Sequence, residues 1–514
     1  MHLRLATIVA LLVGLQLFAG CNAPAGAREG QDPQTGLWPT ESWPVSTPEE
    51  QGMDSGGLAR LIETVGTYKQ DSFLIIRHGR IVAEAYFAPY VAGISHDLRS
   101  VTKSVVGTLT AIQLQKGILD SVDHPVMDVF ADKQIQNVDD RKKVMTVQSL
   151  LDMTSGIEWT EKAYTPDETI MRMYKSPDRT AFVLNQPMAG TPGAHFNYSG
   201  GNPYLLSALI NKKSGQNALD FAKKELFEPL GIKSARWGPV DAQGVTDGES
   251  GLFLSPHDMA RFGYLYLHNG MWEGKQIIPL SWVDRVKEGK VPATNGFHYG
   301  NLWWSLPEKG AYMARGRHSQ LILIIPRLDV VAVMTGVLRD TEFYSVSGLI
   351  DDISNTVKSD GRLPADPIAT ALLTNAIRLA ATEKPSAIGG TPDLAKAVSG
   401  RVYQLADNVL RVKSFTLNFF DSDPSWAITT DLSTARSTGL FGVDGFYRKS
   451  PGGSDRTNAA RGRWINEHTF AMESRVLGRG EIQTWTLSFN GNKVTVNFEN
   501  TDGFKAEVRG EVSE

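Results

Sequence analysis

Cysteine is almost absent from this chain, since Cys21 is the single one among 514 residues. One cysteine forms no intramolecular disulfide, and it excludes the cysteine-based zinc sites of small metal-binding domains. The sequence also lacks a His-Glu-x-x-His motif, a Gly-x-Ser-x-Gly nucleophile elbow and a glycine-rich phosphate loop. We therefore expect no metal ion and no cofactor, and a fold held together by its core.

Neither sign of charge dominates: 52 lysines and arginines face 56 aspartates and glutamates, for a net charge of −4. Without a basic excess, no surface would attract nucleic acid, so we expect no nucleic-acid partner. A hydrophobic content of 41% and a charged content of 21% are ordinary for a soluble globular protein. Because single cores stop growing near ~250–300 residues, the length predicts two domains.

The start of the chain departs from this average. Residues 1–20 combine one early arginine, a mostly apolar run and small residues, an order typical of a secretory signal peptide. Cys21 follows in "LFAGC", which resembles the lipobox of bacterial lipoproteins except for Phe18 at the usual leucine position. This predicts lipid attachment at Cys21, with cleavage after the small residues at 23–27 as the alternative. The resemblance implies, through Asn22, an exported periplasmic protein anchored to the outer membrane of a bacterium.

Hydrophobic periodicity divides the rest of the chain. Residues 21–48 are rich in Pro, Gly, Ala and Gln and predict a tether. In 49–360, a hairpin pattern at 72–87 is followed by helical spacing at 100–116, and strands return at 311–337 before a closing helix. This order predicts an α+β domain, an antiparallel sheet flanked by helices with a helical lobe inserted.

The C-terminal part reads differently. Residues 361–398 predict a linker with one helix, and 399–514 contain about eight alternating runs separated by Asn-Gly, Asp-Gly and Gly-Gly turns. Short antiparallel strands of this number predict a small closed all-β barrel.

Ser100 and Lys103 lie one helical turn apart at the start of an apolar helical run. Residues at i and i+3 are neighbours on a helix, so the amine can reach the hydroxyl and take its proton. The backbone N–H of Ser100 at the helix start would form half of an oxyanion hole. The alternative is a capping serine beside a solvent-exposed lysine.

To accept a proton at pH 7, Lys103 needs a pKa lowered by about 3 units or more, which burial can supply. The side chains around it favour this, because Arg99 adds a second cation. The apolar neighbours are Val101, Val105 and Val106. We therefore expect a neutral lysine that serves as general base.

Further segments strengthen this hypothesis. "HDLRSVTKS" resembles the nucleophile segment of the serine β-lactamase and penicillin-binding protein superfamily, particularly of its 6-aminohexanoate-oligomer hydrolase and esterase branch. Four more segments are similar to family segments in the same order. They are "TVQSLLDMTSGIEW" (146–159), "PGAHFNYSGGNPYLLSALI" (192–210), "GESGLFLSPHDMARFGYLYLHNGMWEGKQIIPLSWV" (248–283) and "HYGNLWW" (298–304).

The resemblance implies roles for further residues. Tyr198 is the second base or proton shuttle, although a buried structural tyrosine is its alternative. The backbone N–H of Gln320, with Ser319 as the near alternative, completes the oxyanion hole. Trp303 and Trp304 are implied to lie near the cleft, although core positions are commoner for tryptophan.

Two departures from the family's lactamase branch bear on the substrate. Gly200 stands where that branch has asparagine, with Asn202 close by. The Lys-Thr-Gly strand that binds a β-lactam carboxylate is replaced by Arg317, His318 and Ser319. These departures weaken β-lactam turnover and leave ester or amide hydrolysis. Asn202 and the three replacing residues remain candidates for substrate binding, and Arg315 or Arg317 could hold an acid.

The sequence thus predicts a serine hydrolase that cleaves an ester or amide bond of a small-molecule or peptide substrate. An alternative is a penicillin-binding or sensor protein that is acylated but hardly turns over. Residues 399–514 resemble the lipocalin-like β domains of some family members, which implies either binding of a small apolar ligand or a docking role. Substrate, protein partners and oligomeric state stay open.

Overall fold

The computed structural model describes residues 37–162, 164–339, 342, 344–452 and 456–513. The predicted signal peptide, the predicted lipidation site Cys21 and the tether as far as residue 36 lie outside the described residues. No described helix is long and apolar enough to cross a membrane.

The first part of the chain alternates strands with many helices. In chain order its elements are α1 (Ser55–Val65), β1 (Gln70–Arg77), β2 (Arg80–Tyr86), β3 (His96–Asp97), α2 (Val101–Gln115), α3 (Val126–Val129), α4 (Asp140–Lys143), α5 (Val147–Leu151), α6 (Thr169–Lys175), α7 (Arg179–Asn185), α8 (Gly201–Ser214), α9 (Ala218–Ala222), β4 (Arg236–Trp237), β5 (Leu252–Leu254), α10 (Pro256–Leu267), β6 (Met271–Trp272), β7 (Lys275–Gln276), α11 (Leu280–Glu288), β8 (Val291–Pro292), β9 (His298–Gly300), β10 (Trp303–Leu306), β11 (Ala311–Gly316), β12 (Gln320–Ile325), β13 (Val330–Gly336) and α12 (Val346–Thr356).

Eight of these strands form an antiparallel sheet in the order β2-β1-β13-β12-β11-β10-β9-β8. Alternate residues of a strand point to opposite faces, and both faces of this sheet are apolar. On one face, Phe73 and Ile75 of β1 pack with α1, α12 and the helix Pro367–Ala380. On the other face, Leu74 and Ile76 pack in the core that contains α2, α8 and α10. The predicted hairpin at 72–87 is confirmed as β1 and β2, and the predicted α+β sheet flanked by helices is present.

Helix α2 lies inside the larger of these two cores. Every residue from Val101 to Gln113 is buried, as expected for a helix without a polar face. Its close packing requires glycine at one point, because a Cβ added to Gly107 would lie 2.7 Å from the backbone oxygen of Asn301. The helix start at Ser100 is therefore carried on a fixed central element.

The end of the predicted tether packs on this domain instead of extending from it. Trp43 is buried, its indole nitrogen donates to the carbonyl of His257 at 3.1 Å, and Trp38 meets the ring of Tyr264 edge-on at 5.9 Å. The two tryptophan side chains bury a large apolar area against the domain, which favours packing over exposure to solvent. The prediction of a tether reaching residue 48 was therefore wrong for its last residues.

The second part begins with two helices and continues in strands. Its elements are α13 (Pro367–Ala380), α14 (Leu394–Val398), β14 (Val402–Leu405), β15 (Val412–Asn418), β16 (Ser425–Thr430), β17 (Ser433–Leu440), β18 (Arg448–Pro451), β19 (Thr457–Asn466), β20 (Thr469–Val476), β21 (Gln483–Asn490), β22 (Lys493–Asn500) and β23 (Lys505–Val512). The linker thus holds two helices where the sequence predicted one.

The ten strands β14–β23 form one antiparallel, nearly closed barrel. Its two end strands β17 and β18 meet where the N–H of Leu440 donates to the hydroxyl of Ser450 at 3.3 Å. The prediction of about eight strands was low because β19, "TNAARGRWIN", contains few β-favouring residues and forms through pairing with its neighbours.

The barrel interior is filled by its own aromatic and aliphatic side chains. A pocket between residues such as Phe415, Trp426 and Leu487 has a volume of only ≈ 20 Å³. This is room for about one water molecule, so the pocket does not accommodate a small apolar ligand.

A buried ion cluster joins the barrel to the first sheet. Arg475 on β20 donates from Nη2 to both carboxylate oxygens of Asp71 on β1, at 2.6 and 2.7 Å. His96 lies 3.0 Å from the same carboxylate, and the side chains of Asp71 and His96 have no exposed surface. The barrel is therefore held by charges that solvent does not screen.

Candidate active site

Ser100 and Lys103 meet at the start of α2. Arg99 takes a left-handed conformation with φ 49°, which ends the approach from β3, and the helix then begins after Ser100. The ammonium Nζ of Lys103 donates to the hydroxyl of Ser100 at 2.8 Å, and the lysine side chain is 1% exposed. The alternative of a solvent-exposed lysine is excluded by this burial.

A carboxylate that the sequence analysis did not select completes the environment of Lys103. Its Nζ donates to Glu249 Oε2 at 2.9 Å and to the backbone oxygen of Glu249 at 3.0 Å. Glu249 is itself buried and also accepts hydrogen bonds from Tyr174 and from Ser250. All three donors of the ammonium therefore have an oxygen acceptor.

This arrangement overturns the expectation of a neutral lysine. Burial alone lowers the pKa of Lys103, but the charge that Tyr198 carries once it is ionised and the carboxylate of Glu249 outweigh burial and raise that pKa well above its usual range. The prediction was wrong because it weighed only neighbours along the chain, which are the valines and Arg99. Glu249 lies 146 positions away in the chain.

Tyr198 adds a phenol to the same group. The ammonium of Lys103 lies 5.0 Å from the centre of its ring, and Ser100 lies close enough to the phenol to lower its pKa. The ring stacks on Trp304 with centroids 6.0 Å apart, which fixes its orientation. Burial raises the pKa of the phenol although the charge of Lys103 lowers it, so the phenol form dominates near neutral pH.

Two further acidic side chains lie near this group. Burial raises the pKa of Glu161, which accepts from the indole of Trp159 at 2.9 Å. Burial and the charge of Glu249 raise the pKa of Asp247 to about 7. Sequence reasoning missed these carboxylates, although Asp247 and Glu249 stand in the conspicuous acidic turn "DGESG".

The end of strand β11 lies beside Ser100. A Cβ added to Gly316 would lie only 3.0 Å from the backbone nitrogen of Ser100. Gln320 pairs with Gly316 across the strands, but its buried side chain donates to the carbonyl oxygens of His318 and Gly336, at 3.1 and 2.8 Å. Its predicted part in an oxyanion hole stays a prediction.

Of the predicted substrate-binding residues, Arg317 lines the same cleft as Ser100, and each of Arg317, His318 and Ser319 has a partner within the protein. Arg317 pairs with Asp502 of the barrel at 3.0 Å, and His318 lies 3.1 Å from the same carboxylate. Ser319 instead accepts from the side-chain amide of Gln70 at 3.0 Å.

Asn202 and the two tryptophans are placed by the core. The fully buried Asn202 packs on the sulfur of Met153, at 3.6 Å, away from the cleft described next. Trp303 is buried against Tyr266, whereas Trp304 contacts Tyr198. The predicted substrate role of Asn202 stays a prediction.

Ser100 opens onto a cleft of ≈ 530 Å³. Ten of the fourteen residues that line it come from the first part of the chain, including Arg99, Tyr164 and Arg317. The other four come from the barrel turn between β22 and β23, at Asn500, Asp502, Gly503 and Phe504. A cleft of this size is typical of a small-molecule site.

The described residues include no group of three or more His, Cys, Asp or Glu side chains placed to hold a metal ion. The reactive groups of this site are a hydroxyl, an ammonium, a phenol and buried carboxylates. These groups can carry out acyl transfer with proton movement between oxygen atoms.

The fold and this arrangement correspond to the class of hydrolase that the sequence predicts. A family model described as Beta-lactamase matches residues 58–341, more than half of the chain. The chain belongs to this family. The predicted family resemblance is thereby confirmed, and so is the presence of a C-terminal barrel.

Individual relatives point the same way. The chain is 25% identical over 313 residues to a 6-aminohexanoate-dimer hydrolase of Paenarthrobacter ureafaciens, covering 56% of this chain and 78% of that protein. A solved structure of a candidate β-lactamase from Bacteroides dorei has a TM-score of 0.50 at 19% identity, covering 60% of this chain and 100% of that one. A candidate 6-aminohexanoate-dimer hydrolase from Bacillus anthracis has a TM-score of 0.49 at 20% identity, with 68% and 88% covered. The structure from Bacteroides dorei shows a shared fold.

Proposed function

We propose that the protein is a serine hydrolase that cleaves an ester or linear amide bond through an acyl-enzyme on Ser100. The observation that carries this proposal is the position of the Ser100 hydroxyl. It accepts from Lys103 at 2.8 Å, lies close enough to Tyr198 to lower the pKa of its phenol and opens onto a cleft of ≈ 530 Å³. A nucleophile needs these three features, which are a proton acceptor, a cation and access for substrate.

In the acylation step Tyr198 is the base. Because Lys103 stays an ammonium, the group that can take the serine proton is the phenolate of Tyr198, present in a minor fraction of molecules near pH 7. The Ser100 oxygen forms a bond to the substrate carbonyl carbon while its proton passes to Tyr198. The ammonium of Lys103 stabilises the negative charge on the participating oxygens.

Collapse of the tetrahedral intermediate breaks the bond to the leaving alcohol or amine, which takes the proton from Tyr198. In the second step a water molecule gives a proton to Tyr198 and attacks the acyl carbon, and Ser100 leaves with that proton. The acid product is released and every group returns to its starting state. We place the oxyanion beside the backbone N–H groups of Ser100 and Gln320, because Gly316, which pairs with Gln320, lies against Ser100.

The test is to label the protein with a fluorophosphonate and to follow hydrolysis of p-nitrophenyl esters. We expect one label per chain, located on the peptide that contains Ser100, and continuous turnover. Ser100→Ala should abolish both, whereas Ser433→Ala, an exposed serine of the barrel, should change neither. Turnover retained by Ser100→Ala contradicts the proposal.

The same assay separates the alternative of a sensor. A single stoichiometric burst without turnover on any substrate would favour a protein that is acylated and not released. The panel should contain p-nitrophenyl esters, nitrocefin, D-Ala-D-Ala peptides and an aminohexanoate dimer. We expect turnover of esters or linear amides, since the Lys-Thr-Gly carboxylate site of the lactamase branch is replaced.

We also propose export and lipid anchoring through Cys21, which rests on the sequence of residues 1–21 alone. The test is expression in a Gram-negative host with radiolabelled palmitate. We expect label in the membrane fraction with the natural chain and loss of label with Cys21→Ser. Label that persists in Cys21→Ser would contradict lipid attachment at this residue.

A further inference from the structure

We propose that the barrel forms one wall of the active-site cleft and that its Asp502 makes the site select neutral or cationic acyl groups over anionic ones. This inference rests on the proposed hydrolase function and names the substrate class of that same site. The barrel is then a part of the substrate-binding site, not only a docking module.

The wall is the turn between β22 and β23 of the barrel, and hydrogen bonds hold this turn in place. Asn500 and Phe504 close it with two hydrogen bonds, from the Asn500 N–H to the Phe504 carbonyl at 3.1 Å and from the Phe504 N–H to the Asn500 side chain at 3.0 Å. Thr501 and Ile482 exchange hydrogen bonds that tie the turn to the preceding loop. The turn therefore has a fixed conformation beside Ser100.

Asp502 extends from this turn to the cationic side of the cleft. Its carboxylate lies 3.0 Å from Arg317 Nη2 and 3.1 Å from His318 Nε2. The orientation of the His318 ring is restrained, because its Nδ1 lies 2.9 Å from the carbonyl oxygen of Leu338. Burial alone raises the pKa of Asp502, but the hydrogen bond with His318 and the charge of Arg317 lower it, so this group is a carboxylate at neutral pH.

Arg317 is one of two arginines that line the cleft, and both have acidic partners. Arg99, the other, lies 3.8 Å from Asp97 and donates to the carbonyl of Arg479 at 3.1 Å. The ammonium of Lys103 is likewise paired with Glu249. A carboxylate on the acyl part of a substrate would have to displace Asp502 or lie against it, and like charges at such a distance repel.

The experiment compares two p-nitrophenyl esters of similar size, the neutral butyrate and the anionic monosuccinate, by kcat/KM. We expect the natural protein to prefer the butyrate. Asp502→Asn should raise the succinate-to-butyrate ratio about tenfold by exposing Arg317 to the substrate carboxylate. Glu499→Gln is the matched control, since Glu499 lies on β22 three residues before Asp502 but pairs with Arg339 at 3.2 Å, and its ratio should be unchanged.

A second measurement needs no variant. Salt screens repulsion between exposed charges, so kcat/KM for the succinate should rise with ionic strength while that for the butyrate stays constant. An unchanged ester ratio in folded Asp502→Asn, or a succinate rate that is independent of salt, overturns the inference. Absence of turnover and of labelling at Ser100 in the natural protein would instead refute the proposed function itself.

Discussion

At the scale of single residues, the charge of Lys103 decides the chemistry that we propose. An amine that is fully enclosed but faces a carboxylate stays protonated, so in the proposed mechanism its role changes from base to the cation that stabilises Tyr198 and the serine oxygen. The helix segment around Ser100 predicts that the two side chains meet. It does not predict the charge, which depends on Glu249 from a distant part of the chain.

The pH profile of the hydrolysis rate tests this assignment. In the proposed mechanism the active form is the Tyr198 phenolate, and because the pKa of this phenol is raised, its population increases with pH and has no maximum near neutrality. We expect kcat/KM for a neutral ester to rise about tenfold per pH unit between pH 7 and 9, after subtraction of the rate with Ser100→Ala. A plateau above pH 7 would contradict a base with a raised pKa.

Replacing Glu249 tests how the carboxylate acts on the pair. Its negative charge raises the pKa of Tyr198, so Glu249→Gln should lower that pKa while keeping an oxygen for Lys103 to donate to. We expect kcat/KM at pH 7 to increase several-fold, because a lower pKa gives a larger phenolate fraction at every pH below it. The control is Glu84→Gln, whose carboxylate pairs with His257 at 2.8 Å, and it should leave this rate unchanged.

At the scale of secondary structure, α2 acts as a packed central element that carries the nucleophile. The helix approaches the loop before β10 so closely at Gly107 that no side chain fits without a shift of the backbone at Asn301.

Gly107→Ala tests this close approach. Alanine favours a helix by about 1 kcal/mol over glycine, whereas overpacking costs about 1–3 kcal/mol, and the contact here is with backbone that cannot rotate away. We expect a lower free energy of unfolding, measured as a decrease in the urea midpoint, and a loss of activity. Gly390→Ala, where an added Cβ meets nothing within 4 Å, should leave the midpoint unchanged.

The elements show how far the sequence predicts this fold. The hydrophobic periodicity of the sequence predicts hairpin β1–β2 and helix α2, because both elements pack in the apolar cores. Strand β19 does not, since its Ala, Gly and Arg residues form a strand only by pairing with β18 and β20. The residues of the site also divide into those that the sequence predicts and those that it does not. Ser100 and Lys103 are predicted by helical spacing, while Glu249 and Asp502 reach the cleft through tertiary structure alone.

At the scale of the whole molecule, the barrel and the first sheet share buried charges. Removing Arg475 leaves Asp71 as an uncompensated carboxylate in the interior, beside His96. Breaking a buried pair in this way costs about 3–5 kcal/mol.

We therefore expect Arg475→Ala to reduce the free energy of unfolding by about that amount, measured by urea denaturation. The control is Arg411→Ala in the same barrel, which removes an exposed pair with Asp431 and should cost less than about 1 kcal/mol. Equal effects of the two substitutions would show that the interior charges do not hold the barrel in place.

The Asp71–Arg475 contact joins residues 404 positions apart. A ribosome therefore completes the nucleophile helix long before it makes the arginine that neutralises Asp71 or the turn that walls the cleft. A nascent chain halted between the two carries Ser100 without the barrel residues that line the cleft. Under the proposed function, translation order thus delays hydrolytic competence until the barrel has been synthesised.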